Sequence, residues 1–244
     1  MGLTGTDVAK DSSDMILLDD YFGTIVNAVK EGRGIYENIR KFAVYLLSAN
    51  AMEVLVILVS LSLGMPLPLL PIHLLWINLV TDGLPAIALG VDPIRPNIMH
   101  HKPQQFKEPI ISSQLLKFLL VISGFAALAI LILTTTSGNL IHKQTIAFTA
   151  VVLFEIIIIW ALRAEYNLSI FSNLYLVLTV AISILLQLIV LYLPIEISGS
   201  SLQELFKVTP LNLNEWLLIL ITGGILALIW KITLPKLNQH KMEL

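Results

Sequence analysis

Six apolar stretches of about 20 residues each occupy most of this 244-residue chain, at 42–63, 70–89, 115–135, 145–163, 173–193 and 214–234. At 1.5 Å per residue such a run crosses the roughly 30 Å hydrocarbon core of a bilayer. Lipid offers no water to the backbone, so each run must close its hydrogen bonds internally, as a helix. With 56% of residues hydrophobic and 13% charged, the chain reads as a membrane protein rather than a soluble domain. The expected fold is an α-helical membrane protein, a bundle of six transmembrane helices.

Six spans put both termini on one side. Of the 15 basic residues only Lys143 and Lys207 fall on the opposite side, and the other 13 lie with the termini. The positive-inside rule therefore makes both termini cytoplasmic. A formal net charge of −2 leaves no nucleic-acid footprint. The absence of Cys removes disulfides and thiolate ligands for soft metals. The polar, glycine-rich start has no apolar core for a signal peptide.

Before the first span, residues 5–33 read as a small α/β piece. Thr6 or Asp7 can cap a short helix. Residues 14–20, Asp-Met-Ile-Leu-Leu-Asp-Asp, read as a short buried strand closed by acids. Phe22, Ile25, Val26 and Val29 then take up helical spacing that runs on toward the membrane. No other strand remains to complete a sheet, and a lone strand makes no stable domain. The piece reads as the remnant of a domain truncated at its front.

The second span carries Trp-Ile-Asn-Leu-Val-Thr-Asp-Gly-Leu-Pro at 76–85. A carboxylate near mid-bilayer costs roughly 2.5–3.5 kcal/mol on insertion scales, so Asp82 there implies an ion, a proton or a partner charge. Pro85 removes a backbone donor, and a helix interrupted beside its own acid frees carbonyl oxygens, tolerated only where they line a site. Asn78, Thr81 and Asp82 sit at i, i+3 and i+4, within about 100° of arc. In the first span Asn50 and Glu53 share a face in the same way, and the tight turn at 64–71 makes the two spans antiparallel neighbours. Glu155 lies midway along the fourth span, with Arg163 two turns further down. All these ligands are oxygens, which suits a hard cation, and several carboxylates favour a divalent one.

Blander readings compete. A lone Asn50 or Thr81 serves an interhelical hydrogen bond in many membrane proteins, and Glu53 could be a protonated acid bonded to a neighbouring span. His100 and His101 form a loop pair without acidic company, and Glu196, Glu204 and Glu215 read as solvated. Trp76, Trp160, Trp216 and Trp230 read as packing or interfacial anchors. Lys102 and Lys107 read as a charged loop, with a head domain or lipid phosphates as the rival contact.

Four segments carry a resemblance. Residues 1–20, Met-Gly-Leu-Thr-Gly-Thr-Asp-Val-Ala-Lys-Asp-Ser-Ser-Asp-Met-Ile-Leu-Leu-Asp-Asp, resemble the last part of the phosphorylation domain of P-type cation ATPases. Glu-Gly-Arg-Gly-Ile-Tyr-Glu-Asn-Ile-Arg-Lys-Phe at 31–42 resembles the stalk entering that family's fifth membrane helix. The segments around Asn50–Glu53 and Asn78–Asp82 are similar to the fifth and sixth helices of the calcium pumps of reticulum and bacteria. The resemblance implies that Asn50, Glu53, Thr81, Asp82 and Glu155 form one calcium site. It also implies that Asn78 and Asp82 contribute to a second, completed from a fourth membrane helix not contained here. One departure is that isoleucines 156–159 follow Glu155 where the reticulum pumps carry amides.

The implied organisation is the end of a HAD-like α/β phosphorylation domain at 1–33, a stalk at 34–41, the transport domain at 42–234 and a cytoplasmic tail at 235–244. Calcium would be the transported ion. ATP and Mg²⁺ would act only through head domains, since the phosphorylated Asp-Lys-Thr-Gly-Thr motif is not in the chain, which holds no catalytic residue and should hydrolyse no ATP by itself. Expected partners are the lipid bilayer and the N-terminal part of such a pump: actuator, nucleotide-binding domain, remaining phosphorylation domain and first four spans. The expected location is a bacterial plasma membrane. The alternatives are a pump for manganese, sodium or protons, and a non-catalytic membrane module that regulates or scaffolds.

Overall fold

The computed structural model describes residues 2–100, 109–135, 138–197 and 199–239. His101, Lys102, Lys107 and the end of the tail, 240–244, lie outside the described residues. Helix α1 (Asp7–Asp11) is capped by Thr6, whose hydroxyl accepts from the Ala9 N–H at 3.3 Å. The expected strand at 14–20 does not form. Gly2 bonds the Leu17 carbonyl at 2.8 Å, but among the described residues no ladder partner is present and the chain turns at once into the next helix.

That helix, α2 (Gly23–Ser62), is continuous over 40 residues. At 1.5 Å per residue it is about 60 Å long, twice the hydrocarbon thickness, so its first half extends beyond the membrane. The second span is segmented into α3 (Pro71–Trp76), a π-helical turn (Ile77–Thr81) and α4 (Gly83–Gly90). Then follow α5 (Ser113–Thr134), α6 (Leu140–Glu165), α7 (Leu174–Tyr192) and α9 (Leu213–Gln239). A small hairpin of β1 (Glu196–Ile197) and β2 (Ser200–Ser201) and the short α8 (Leu202–Phe206) lie between the last two spans. Among the described residues six helices are long and apolar enough to cross a membrane, the number expected.

Helix starts follow capping chemistry. Ser112, Asn139 and Asn173 accept from the N–H groups of Leu115, Ile141 and Leu176 at 3.2, 3.1 and 3.0 Å. The Asn139 cap is why α6 begins at Leu140, before the apolar stretch predicted from 145. Helix α6 is the axis of the bundle. It packs on α2, α5 and α9, and the consecutive Phe148, Thr149, Ala150 and Val151, which point to successive faces, are fully buried. Gly223 lets α9 approach closely, since a methyl there would fall 2.4 Å from Ile157 Cδ1. Helix α4 sits between α2 and α7. Leu120 and Leu128 of α5, Leu178 and Leu185 of α7 and Ile221 and Leu228 of α9 face outward, as a lipid-facing surface requires.

The side opposite the termini is more ordered than loop residues alone suggest. His73 stacks on Phe148 at 4.5 Å and its Nε2 bonds the Phe206 carbonyl at 2.6 Å, drawing α8 onto the bundle. Glu204 closes a capping box with Ser201, and Glu215 accepts from Asn212 N–H at 2.7 Å while facing His142 Nε2 at 2.6 Å. Both acids were expected to be merely solvated. They hold backbone donors that the loop would otherwise leave unpaired. The tryptophans serve packing, with Trp230 edge-on to Phe118 at 5.0 Å and Trp76 edge-on to Phe206 at 5.1 Å.

Candidate cation site

Pro85 lacks an N–H, and its ring crowds the carbonyl four residues back. The chain answers by widening rather than opening. In the π-helical turn the Asp82 N–H bonds the Ile77 carbonyl, five residues back, at 2.8 Å. Such turns insert one residue into a helix and recur at functional sites. The expected helix break is thus a local bulge that ends at Asp82 and resumes as α4 from Gly83.

Asp82 is 1% exposed. Its Oδ1 accepts the Tyr45 hydroxyl of α2 at 2.6 Å, and no N–H or alcohol donor reaches its Oδ2. Glu155 of α6 is equally buried; its carboxyl meets that of Asp82, and no N–H or alcohol donor reaches either of its oxygens. Glu53 of α2, 4% exposed, accepts from Asn78 Nδ2 at 3.0 and 3.2 Å. The pairing of first and second spans expected from their shared depth is therefore present. Thr81 is buried beside Asp82, and its hydroxyl donates to the Ile77 carbonyl at 3.1 Å.

Glu53, Asp82 and Glu155 lie near enough for their charges to interact. No cation among the described residues pairs with any of them. Arg163, two turns along α6 from Glu155, turns instead to Asp92, with Nη2 3.1 Å from Oδ1. Three buried acids without a counter-charge carry an uncompensated desolvation cost, which a bound cation or protons would offset.

Two expected ligands lie on the exposed side of the cluster. Asn50 is exposed, and its amide donates to the Leu46 carbonyl of its own helix at 2.8 Å. Asn78, also on the open side, divides its donors between Glu53 and the Leu74 carbonyl, 3.0 Å away. Among the described residues no three His, Asp or Glu side chains are gathered tightly enough to hold a metal ion in this arrangement. Sequence reasoning missed Tyr45 as a member of the cluster. The available signal was its hydroxyl on the buried stripe of Tyr45, Ala49, Met52 and Val56, since a buried phenol needs a partner.

Residues 66–234 match the family model described as cation transporting ATPase, C-terminus. A calcium-transporting ATPase of Bacillus subtilis is 44% identical over 229 residues, covering 90% of this chain and 25% of that protein. Calcium-transporting ATPase 1 of Bacillus cereus is 38% identical, covering 91% of this chain and 27% of that protein. An endoplasmic reticulum calcium ATPase of Aspergillus fumigatus is 35% identical, with 92% and 27% covered. The chain thus spans about a quarter of the length of these curated relatives.

Proposed function

The chain belongs to the cation-transporting ATPase family, and from that premise we propose that it supplies the carboxy-terminal transport domain of an ATP-driven calcium pump. Residues 1–33 are read as the end of a HAD-like phosphorylation domain, 34–41 as its stalk, 42–234 as the transport domain and 235–244 as a tail. ATP and Mg²⁺ act through head domains outside this segment, and the first four spans complete the membrane part. The 13 basic residues on the terminal side favour cytoplasmic termini. The two Bacillus relatives favour a bacterial plasma membrane.

One observation carries the reading: the buried, partner-poor carboxyls of Asp82 and Glu155 beside Glu53, with no cation among the described residues to balance them. Calcium takes six to eight oxygens in flexible geometry. Glu53, Asp82 and Glu155, with Asn50, Asn78 and Thr81, offer carboxylate, amide and hydroxyl oxygens of that hard type. Asn50 and Asn78 lie on the open side next to Glu53, where further oxygens from the rest of a pump can approach. The cargo binds when α2 shifts so that Glu53 and Asn50 turn toward Asp82. Shifting back separates the acids, and protons then neutralise them.

Calcium-45 uptake by vesicles carrying the complete pump tests this. Asp82→Asn and Glu53→Gln should each lower uptake at least tenfold at equal protein in the membrane. Uptake at the unsubstituted rate in both variants overturns the site assignment.

A further inference from the structure

We propose that Asp92 is a positioning residue for transport, locking the three carboxylate-bearing helices into one body at their terminal-side ends; this rests on the reading of the chain as a transport domain. The Asp92 carboxylate follows α4 and is completely buried. Lys41 Nζ of α2 donates to its Oδ2 at 2.6 Å. Arg163 Nε of α6 donates to Oδ1 at 3.1 Å and to Oδ2 at 3.3 Å, and Asn173 Nδ2, at the head of α7, reaches Oδ1 at 3.0 Å. The Asp92 backbone carbonyl accepts Asn38 Nδ2 of α2 at 2.7 Å.

Each helix that carries a mid-bundle acid sends one charged group to this junction. Lys41 stands 12 residues before Glu53, Asp92 10 after Asp82 and Arg163 eight after Glu155. At 1.5 Å per residue the helical arms are about 18 Å along α2 and about 12 Å along α6. Further contacts tie the same elements. Arg95 Nη2 meets Glu37 at 2.6 Å, and the Tyr166 ring lies 5.1 Å from Lys41 Nζ and 5.8 Å from the Arg95 guanidinium. At Gly34 the stalk lies so close to Ile94 that a methyl there would be 2.5 Å from its Cγ1.

Burying two cations and one carboxylate is a poor way to gain stability, because desolvation cancels much of the attraction. What such a junction supplies is geometry, and a planar guanidinium against a carboxylate fixes both distance and angle. A push along the stalk reaches Lys41 before it reaches Glu53. Through Asp92 the same push moves α4 and α6, so Asp82 and Glu155 answer together. Without the junction α2 moves alone, and ATP is spent without displacing the ion.

The test uses the complete pump in vesicles. Removing one charge strands the others, so the informative variant removes all three at once: Lys41→Met, Asp92→Leu and Arg163→Met, which leaves an apolar contact that can still fold. Calcium moved per ATP hydrolysed should fall about fivefold or more while ATP turnover stays within about twofold, and Lys41→Arg alone should keep the original ratio. An unchanged ratio in the triple variant, or a parallel loss of both activities with folded protein, overturns the proposal. A second readout does not depend on the cargo. This segment has no Cys, so in a complete pump with any cysteines elsewhere replaced, nitroxides can be placed by Ile39→Cys and Val91→Cys at two exposed positions. Their distance distribution should be narrow, and about twofold broader in the triple variant; equal widths overturn the proposal. If the unsubstituted pump moves no calcium, the function proposed above fails, and the spin pair still decides this one.

Discussion

Two buried acids ten residues apart, Asp82 within the second span and Asp92 just after it, are solved in opposite ways. Asp92 has a lysine, an arginine and an asparagine on its two oxygens. Asp82 has one phenol on one oxygen and, beyond it, only the facing carboxyl of Glu155, which itself receives no N–H or alcohol donor. Burial is the same, so burial does not separate an architectural acid from a binding one. Completeness of the shell does. A carboxylate whose acceptors are all occupied has no capacity left for a ligand, and one left half-bare is held ready for a partner the fold does not itself provide.

The largest effect should fall on the finished acid. Asp92→Ala strands Lys41 and Arg163 in the interior, and breaking a buried pair by removing one member costs about 3–5 kcal/mol. Thermal unfolding of the detergent-solubilised protein should show that loss without any calcium present. A loss under about 1 kcal/mol would mean that water reaches the junction and that the contrast with Asp82 is false.

Next in size is the gain from filling the unfinished site. A ligand bound only by the folded state stabilises it by about 2.7 kcal/mol at a hundred times its dissociation constant. Calcium at that excess should raise the unfolding temperature accordingly. Glu155→Gln should abolish the rise while leaving metal-free stability within about 1 kcal/mol, because the exchanged group meets only the Asp82 carboxyl, to which an amide can still donate. A metal-free loss as large as that of Asp92→Ala would make Glu155 architectural as well.

Physical scale explains what the chain disclosed in advance. Spans were legible because bilayer thickness imposes a length, and the facing of Glu53 and Asn78 followed from two antiparallel helices with polar residues at one depth. The Asp92 junction was not legible. Lys41 and Arg163 look like ordinary positive-side residues, and their partner is 51 and 71 residues away, a separation no local period encodes. The π-helical turn was half-legible: Pro85 announced a disturbance, but whether a helix opens or bulges depends on what packs around it. The strand expected at 14–20 failed because apolar character in a short run does not supply a hydrogen-bonding neighbour.

The smallest stability effect belongs to the residue that fits neither acid's pattern. Asn50 is exposed and satisfied by its own helix through the Leu46 carbonyl, so Asn50→Ala should change unfolding by no more than about 0.5 kcal/mol, as surface substitutions do. If Asn50 belongs with the unfinished region, turning from Leu46 toward the ion as α2 shifts, the same substitution should raise the calcium concentration for half-maximal uptake about tenfold. That is the equivalent of about 1.4 kcal/mol lost only when the ion is bound. Neutral stability with weakened affinity is the signature of a ligand recruited by movement. Neutrality in both measurements would return Asn50 to the helix surface and leave the site to the acids, Asn78 and Thr81.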